Sequence, residues 1–179
     1  MPEIEIRPVV PHDITYLAEM EHQSQSDYVL QMDRIVNEGE ITIHFREIRL
    51  PRPVRIEYPR PSRFLMDQWK MRTQILVAAI ADAPVGYITL SDQQAPLTAW
   101  VNDLVVSPPV RRKGIATALV MASQEWAIQR GLRRMILEMQ SKNHAAIRLA
   151  SKLGFEFGGY SDYYYSNQDI ALFFASYLR

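Results

Sequence analysis

The sequence predicts a mixed α/β fold on one central sheet, and two observations carry that prediction. Short apolar or alternating runs recur along the whole of the 179 residues. Between two of them, "TAWVNDLVV" (98–106) and "RRMILEMQ" (133–140), the hydrophobic period changes to that of a helix. Strand, helix and strand in that order make the helix a crossover within one sheet. With 47% hydrophobic residues and no internal repeat, the chain has the apolar mass for one domain over 1–179.

The first strand is read in "EIEIRPV" (3–9), which alternates, and Pro11 with Asp13 starts a helix through Ile14, Leu17 and Met20. Alternation returns in "EITIHFREIRL" (40–50), over Ile41, Ile43, Phe45 and Ile48. Next comes "RLPRPVRIEYPRPSRF" (49–64), with four prolines and five arginines. It reads either as a stiff solvated connection or as a flap on the substrate side. "TQILVAAIA" (73–81), the turn "DAPVG" and "YITLSD" (87–92) form a hairpin whose first strand is apolar on both faces. The strand 98–106 is stopped by Ser107, Pro108 and Pro109. Beyond Gly114, the residues Ile115, Leu119, Ala122 and Trp126 share a helical face, and Gly131 closes the helix. After the strand 133–140, "NHAAIRLASKLG" (143–154) is a short helix, and "DIALFFASYL" (169–178) reads as a strand buried on both sides.

Twenty Lys and Arg balance twenty Asp and Glu, so no global field draws the chain to nucleic acid or to an anionic membrane. Any anion site must be local. The absence of cysteine excludes disulfides, thiolate metal sites and a cysteine nucleophile. The four histidines (12, 22, 44, 144) lack metal-ligand spacing, no G-x-S-x-G is present, and no metal is expected. "MPEIEIRPVV" lacks the apolar run of a signal peptide, and no stretch approaches the roughly 20 apolar residues of a membrane span. The expected compartment is therefore the cytoplasm, with no membrane partner; a homodimer is left open.

The anion site is read in "VRRKGIATALV" (110–120). A helix N-terminus presents unpaired N–H groups and the positive end of a dipole, so it holds phosphate without special side chains. Gly114 lets the backbone approach an anion, Ala116 adds little bulk, and Arg111, Arg112 and Lys113 can add charge-assisted hydrogen bonds. The pattern suits a pyrophosphate, yet it is neither G-x-x-x-x-G-K-[ST] nor G-x-G-x-x-G.

"VNDLVVSPPVRRKGIATALVMASQEWA" resembles motif A of the GNAT superfamily, the Gcn5-related N-acetyltransferases, whose [QR]-x-x-G-x-[GA] is met as Arg111-Arg112-Lys113-Gly114-Ile115-Ala116. "LEMQSKNHAAIRLASKLGFEFGG" resembles motif B of the same family, and together the two cover about residues 98–160. The resemblance implies the GNAT fold, a mixed sheet of about seven strands splayed at the cofactor site and flanked by helices. It implies acetyl-CoA as acyl donor, with its pantetheine arm on the backbone of Leu104, Val105 and Val106. Its pyrophosphate would lie on the amides from Arg112 through Gly114, Ile115 and Ala116 to Thr117. Asn143 would fall where the family hydrogen-bonds the cofactor, and a plain helix N-cap is the other reading of that residue. The tail "LGFEFGGYSDYYYSNQDIALFFASYL" and "EGEITIHFREIRLPRPVRIEYP" are further similar to streptothricin (nourseothricin) acetyltransferases, which implies a small amine-bearing molecule as acceptor; for the family as a whole a peptide amine is the other expectation.

Transfer to an ammonium requires a proton acceptor, an oxyanion donor and a group that protonates or stabilises the leaving thiolate. Two groups familiar in the family are absent. Ala150 stands where the motif-B tyrosine would be, and Asn102 stands where antibiotic-modifying relatives carry a glutamate. Asn102 can orient a water. Asp103 is next, but strand alternation turns it to the opposite face unless a bulge intervenes. Glu138 matches a position used as base in ribosomal-protein acetyltransferases of the superfamily, or else it pairs with Arg133 or Lys142. Among Tyr160, Tyr163, Tyr164 and Tyr165, the last is the expected replacement phenol, with aromatic packing as its alternative. The leading expectation is thus an acetyl-CoA-dependent N-acetyltransferase. An acyl-CoA-binding sensor that has lost catalysis is the second, and nucleic-acid binding through 49–63 the least supported.

Overall fold

The structure is a computed structural model described over residues 3–179. Its elements follow in the order β1 (Glu5–Pro8), α1 (Asp13–Glu19), β2 (Ser24–Asn37), β3 (Glu40–Ile56), α2 (Ser62–Gln68), β4 (Gln74–Ile80), β5 (Ala83–Ser91), β6 (Thr98–Val106), α3 (Ile115–Gln129), β7 (Arg134–Gln140), α4 (His144–Lys152), β8 (Glu156–Ser161) and β9 (Ala171–Tyr177). Seven strands form one sheet in the order β1-β4-β5-β6-β7-β9-β8, while β2 and β3 make a separate hairpin. β6 and β7 run parallel, with α3 as the crossover between them; the other neighbours are antiparallel.

Alternation along the central strands sorts their side chains between two apolar clusters. Leu76, Ala78, Ile88 and Leu90 join Ile115, Leu119 and Val120 of α3 on one face. Ile75, Val77 and Tyr87 join Leu17 of α1 and Leu65 of α2 on the other. The α3 face carries Ile115 and Leu119, as its periodicity predicts, with Ala122 and Trp126 at its margin.

Three readings of the sequence need correction. The β4–β5 turn is the two-residue Ala81-Asp82 rather than "DAPVG", because both residues adopt positive φ (47° and 65°), as a tight hairpin turn that follows strand twist requires. Residues 49–56 are not a loop but the second half of β3. There Ser26 pairs with Val54 and Tyr28 with Arg49, so four residues of β3 bulge against one of β2. Pro51 and Pro53 sit in that bulge, where a missing N–H breaks no ladder bond. Finally, β2, α2 and β8 lie outside the elements that the sequence predicts. β2 carries its apolar residues without strict alternation, and β8 is broken by Gly158, the extra residue of a bulge against Phe173 and Phe174.

Candidate active site

β6 and β7 pair only from Thr98–Val101 to Arg134–Leu137. Beyond that point β6 continues with β5 to Val106, and β7 continues with β9 to Gln140. The two parallel strands therefore part at Asn102 and Glu138, and the β6 edge at Leu104, Val105 and Val106 faces the opening without a partner strand among the described residues.

A bulge lies at the parting. Thr89 pairs with Asp103 and Leu90 with Val101, so Asn102 is an extra residue in β6. An extra residue bends a strand and resets which side chains share a face. Ala99 and Val101 accordingly lie in the α3-side cluster together with Leu104 and Val106, while Val105 lies in the cluster of α1 and α2. Asp103 joins Val105 on the α1/α2 face. The bulge that simple alternation could not supply is present.

The chain leaving β6 makes one 3-10 turn (Pro108–Val110), passes Arg112 at φ 65° and enters α3 through Gly114 at φ 85°. The amide of Ala118 bonds the Gly114 carbonyl at 3.0 Å. The N–H groups of Ile115, Ala116 and Thr117 precede that first intrahelical bond and project from the helix end. A Cβ at Gly114 would meet nothing within 4 Å, so the loop leaves open space for a ligand. Arg112 and Lys113 are exposed beside it. Arg111 is turned away: its guanidinium donates to the carbonyls of Val106 (2.7 Å), Gln23 (2.9 Å) and Glu21 (3.1 Å). It ties the loop to the α1–β2 connection, and burial lowers its pKa. Asn143 caps α4, its side-chain oxygen accepting from the Ala146 amide at 3.1 Å.

On the α1/α2 face, a buried ionic cluster spans the parted strands. Arg60 arrives from the segment between β3 and α2, held between Pro59 and Pro61. It donates to Asp103 Oδ1 (3.1 Å), to the Asn102 carbonyl (2.8 Å) and to Glu138 Oε1. Asp103 also accepts from Tyr58 (2.6 Å) and Thr89 (2.7 Å), with Arg72 at 3.7 Å. Glu138 also accepts from Trp100 (2.8 Å) and Tyr164 (3.1 Å). Its partner is thus Arg60, not Arg133 or Lys142; Lys142 pairs with Asp169. Burial works against the charged guanidinium of Arg60, yet Asp103 and Glu138 outweigh it and hold the group firmly cationic. The proline-rich stretch therefore divides: Pro51 to Pro53 are exposed, whereas Tyr58 and Arg60 turn into the site.

Tyr165 is buried beneath the Arg60 guanidinium, whose carbon stands 5.6 Å from the ring centroid. Burial, with Glu138 close by, raises its phenol above the ordinary tyrosine range and pushes that of Tyr164 up to about 12. Both are neutral at physiological pH. Asn102 is buried, its side-chain oxygen accepting from the Ser91 hydroxyl at 2.7 Å. Ala150 is wholly enclosed in the α3-side core with Ile147 and Phe155, so a phenol at that position would overpack it. Asn102, Glu138 and the Tyr164–Tyr165 pair thus gather around Arg60, a residue that the sequence did not single out. Beside them lies a narrow pocket lined by His22, Tyr58, Phe64, Arg72, Tyr87 and Asp103 among others.

A parallel pair parted beside a bulge, with a glycine-led helix aimed at the opening, defines the class. The model of the Acetyltransferase (GNAT) family matches residues 43–155, and the chain belongs to that family. Streptothricin acetyltransferase of Escherichia coli is 39% identical over 75 residues, covering 42% of each chain. An uncharacterized N-acetyltransferase of Methanocaldococcus jannaschii is 30% identical over 97 residues, which are 50% of this chain and 43% of that one. The chain thus spans less than half the length of the curated relatives it matches. The crystal structure of nourseothricin acetyltransferase superposes with a TM-score of 0.81 at 22% identity, covering 98% of this chain and 99% of the other. A candidate streptothricin acetyltransferase from Bacillus anthracis, solved in complex with acetyl coenzyme A, gives 0.75 at 19% identity, covering 99% and 98%. These two show the shared fold. Among the described residues no helix is long and apolar enough to cross a membrane, and no group of three His, Cys, Asp or Glu is placed to hold a metal.

Proposed function

We propose that this protein transfers an acetyl group from acetyl-CoA directly to the primary amine of a small molecule or peptide. The carrying observation is the opening between β6 and β7, with free helix-end amides beyond one end and a buried ionic cluster on one face. Bound acetyl-CoA supplies the acyl group already activated as a thioester. The amides from Arg112 to Thr117 hold the diphosphate, Arg112 and Lys113 add screened charge, and Arg111 fixes the loop. The backbone of Leu104, Val105 and Val106 pairs with the amide-bearing arm, and Asn143 offers the nitrogen of its side chain while its oxygen caps α4.

Tyr165, a neutral phenol, donates a proton to the leaving sulfur in place of the phenol that Ala150 cannot supply. Glu138 holds Arg60 and Tyr164 around it. Asn102 keeps the bulge by bonding Ser91. A streptothricin-type antibiotic is the first acceptor to try, given the names of the relatives and fold neighbours. Mass spectrometry of the purified protein for bound CoA tests the donor, and thiol release over an amine panel tests the reaction. The second reading, a CoA-binding sensor, draws on Ala150 and on an Asn102 that cannot take a proton. Tight CoA binding with no thiol release from any amine would establish it.

A further inference from the structure

The polar groups lining the acceptor side fall into two kinds. Asp103 has Oδ1 engaged by Tyr58 and Arg60 and Oδ2 by Thr89. Glu138 has Oε1 engaged by Arg60 and Oε2 by Trp100 and Tyr164. Each carboxylate thus has most of its acceptor sites already taken by buried donors. His22 is different. Its Nδ1 lies 2.5 Å from the Met20 carbonyl, an acceptor only, so that nitrogen carries the ring proton. The other nitrogen, Nε2, therefore accepts from the Tyr87 hydroxyl at 2.8 Å. The Tyr87 oxygen keeps its lone pairs, and both residues line the pocket. Tyr87 stands opposite Val105, one strand spacing of about 4.8 Å in from the β6 edge that faces the opening.

We propose that His22, acting through Tyr87, takes the proton that the acceptor ammonium must lose before attack; the proposal rests on the acetyl-transfer reading above. The ammonium N–H breaks as the Tyr87 oxygen takes its proton, and the Tyr87 O–H breaks as Nε2 of His22 takes that one. The nitrogen keeps the electron pair and attacks with it, and the imidazolium returns its proton to solvent. Burial holds the imidazole below the ordinary histidine range, so the neutral acceptor form is present at physiological pH. The groups facing the ring are Tyr58 and Tyr87, with centroids at 5.1 and 5.8 Å, together with Asp103 and Glu21, which favour the cation, and Arg111, which opposes it.

The test measures kcat/KM against pH with acetyl-CoA and, in turn, nourseothricin, lysine and a lysine-bearing peptide. The unaltered protein should show an activity limb rising through a pKa below about 6.5. His22→Gln should lose about 10²-fold at pH 7 and recover as the pH nears the acceptor's own pKa, where free amine needs no base. Tyr87→Phe should lose as much while its imidazole still titrates, and both variants should bind acetyl-CoA as before. Nitrogen-15 NMR of the imidazole should find the Nδ1–H form at pH 7. A His22→Gln variant with the unaltered limb, a loss equal at every pH, or an Nε2–H imidazole overturns the proposal while leaving acetyl transfer standing. Absence of transfer by the unaltered protein overturns both.

Discussion

Around Gly114 the site is made of main chain from one short run of sequence; around Arg60 it is made of side chains brought from residues 22 to 165. The first region needs a backbone path and little else. Its amides project because a helix begins there, and its positive φ values at Arg112 and Gly114 shape the curve. The second region needs every partner in place, since Arg60, Asp103 and Glu138 satisfy one another away from water. Blocking space should therefore break the first, and deleting a charge should break the second.

The largest effect expected is at the first region. Gly114→Trp should abolish CoA binding by calorimetry, because the indole fills the ligand's place. The fold should survive, since the position opens to empty space and the left-handed backbone costs a side chain only about 1–2 kcal/mol. Normal CoA affinity in that variant would remove the loop from the donor site.

Arg60→Ala comes next, and it should act on stability. It strands Glu138, whose side chain is 0% exposed, without a cation and leaves Asp103, 7% exposed, with Arg72 at 3.7 Å. Breaking a buried pair from one side costs about 3–5 kcal/mol, readable by urea denaturation. A loss below about 1 kcal/mol would mean that water reaches the cluster freely.

Tyr165→Phe should lower turnover at least tenfold while leaving CoA affinity unchanged, as a positioned acid contributes about 10²–10⁴-fold. Phe keeps the ring beneath Arg60, so the change isolates the hydroxyl. The same loss in Tyr164→Phe alone would move the donor one residue. Tyr163 is 73% exposed and Tyr160 packs on Phe45, which separates both from the cluster.

The smallest effect belongs to the exposed cations. Arg112 and Lys113 changed together to Ala should weaken CoA several-fold at low salt, and less at high salt where screening has already removed part of the attraction. Arg111→Ala should differ in kind, loosening the α1–β2 connection at any ionic strength because its bonds go to carbonyls.

Much of the region around Gly114 was legible because its signals are local. Proline, cation, glycine and helix period follow one another between 107 and 131, and each acts on the backbone beside it. Asn143 showed itself as a cap for the same reason. Arg60 was hidden in a proline-rich run that composition describes as solvated, and nothing near it in sequence announces its partners. His22 has no metal-ligand spacing in the sequence, and the role proposed for it rests on a carbonyl two residues away and a phenol 65 residues away.

The sequence by itself determined the β6–α3–β7 crossover, the glycine-led helix start with its exposed charges and the family to which they point, since those rest on propensities and periods read within one turn or one strand. Only the tertiary structure decided that Asp103 lies on the α1/α2 face, because the bulge at Asn102 is defined by pairing with β5. It alone decided that Arg60 meets Glu138, 78 residues away. A buried charge takes whichever opposite charge the folded sheet delivers, and that delivery is a property of packing between distant strands rather than of any stretch of chain.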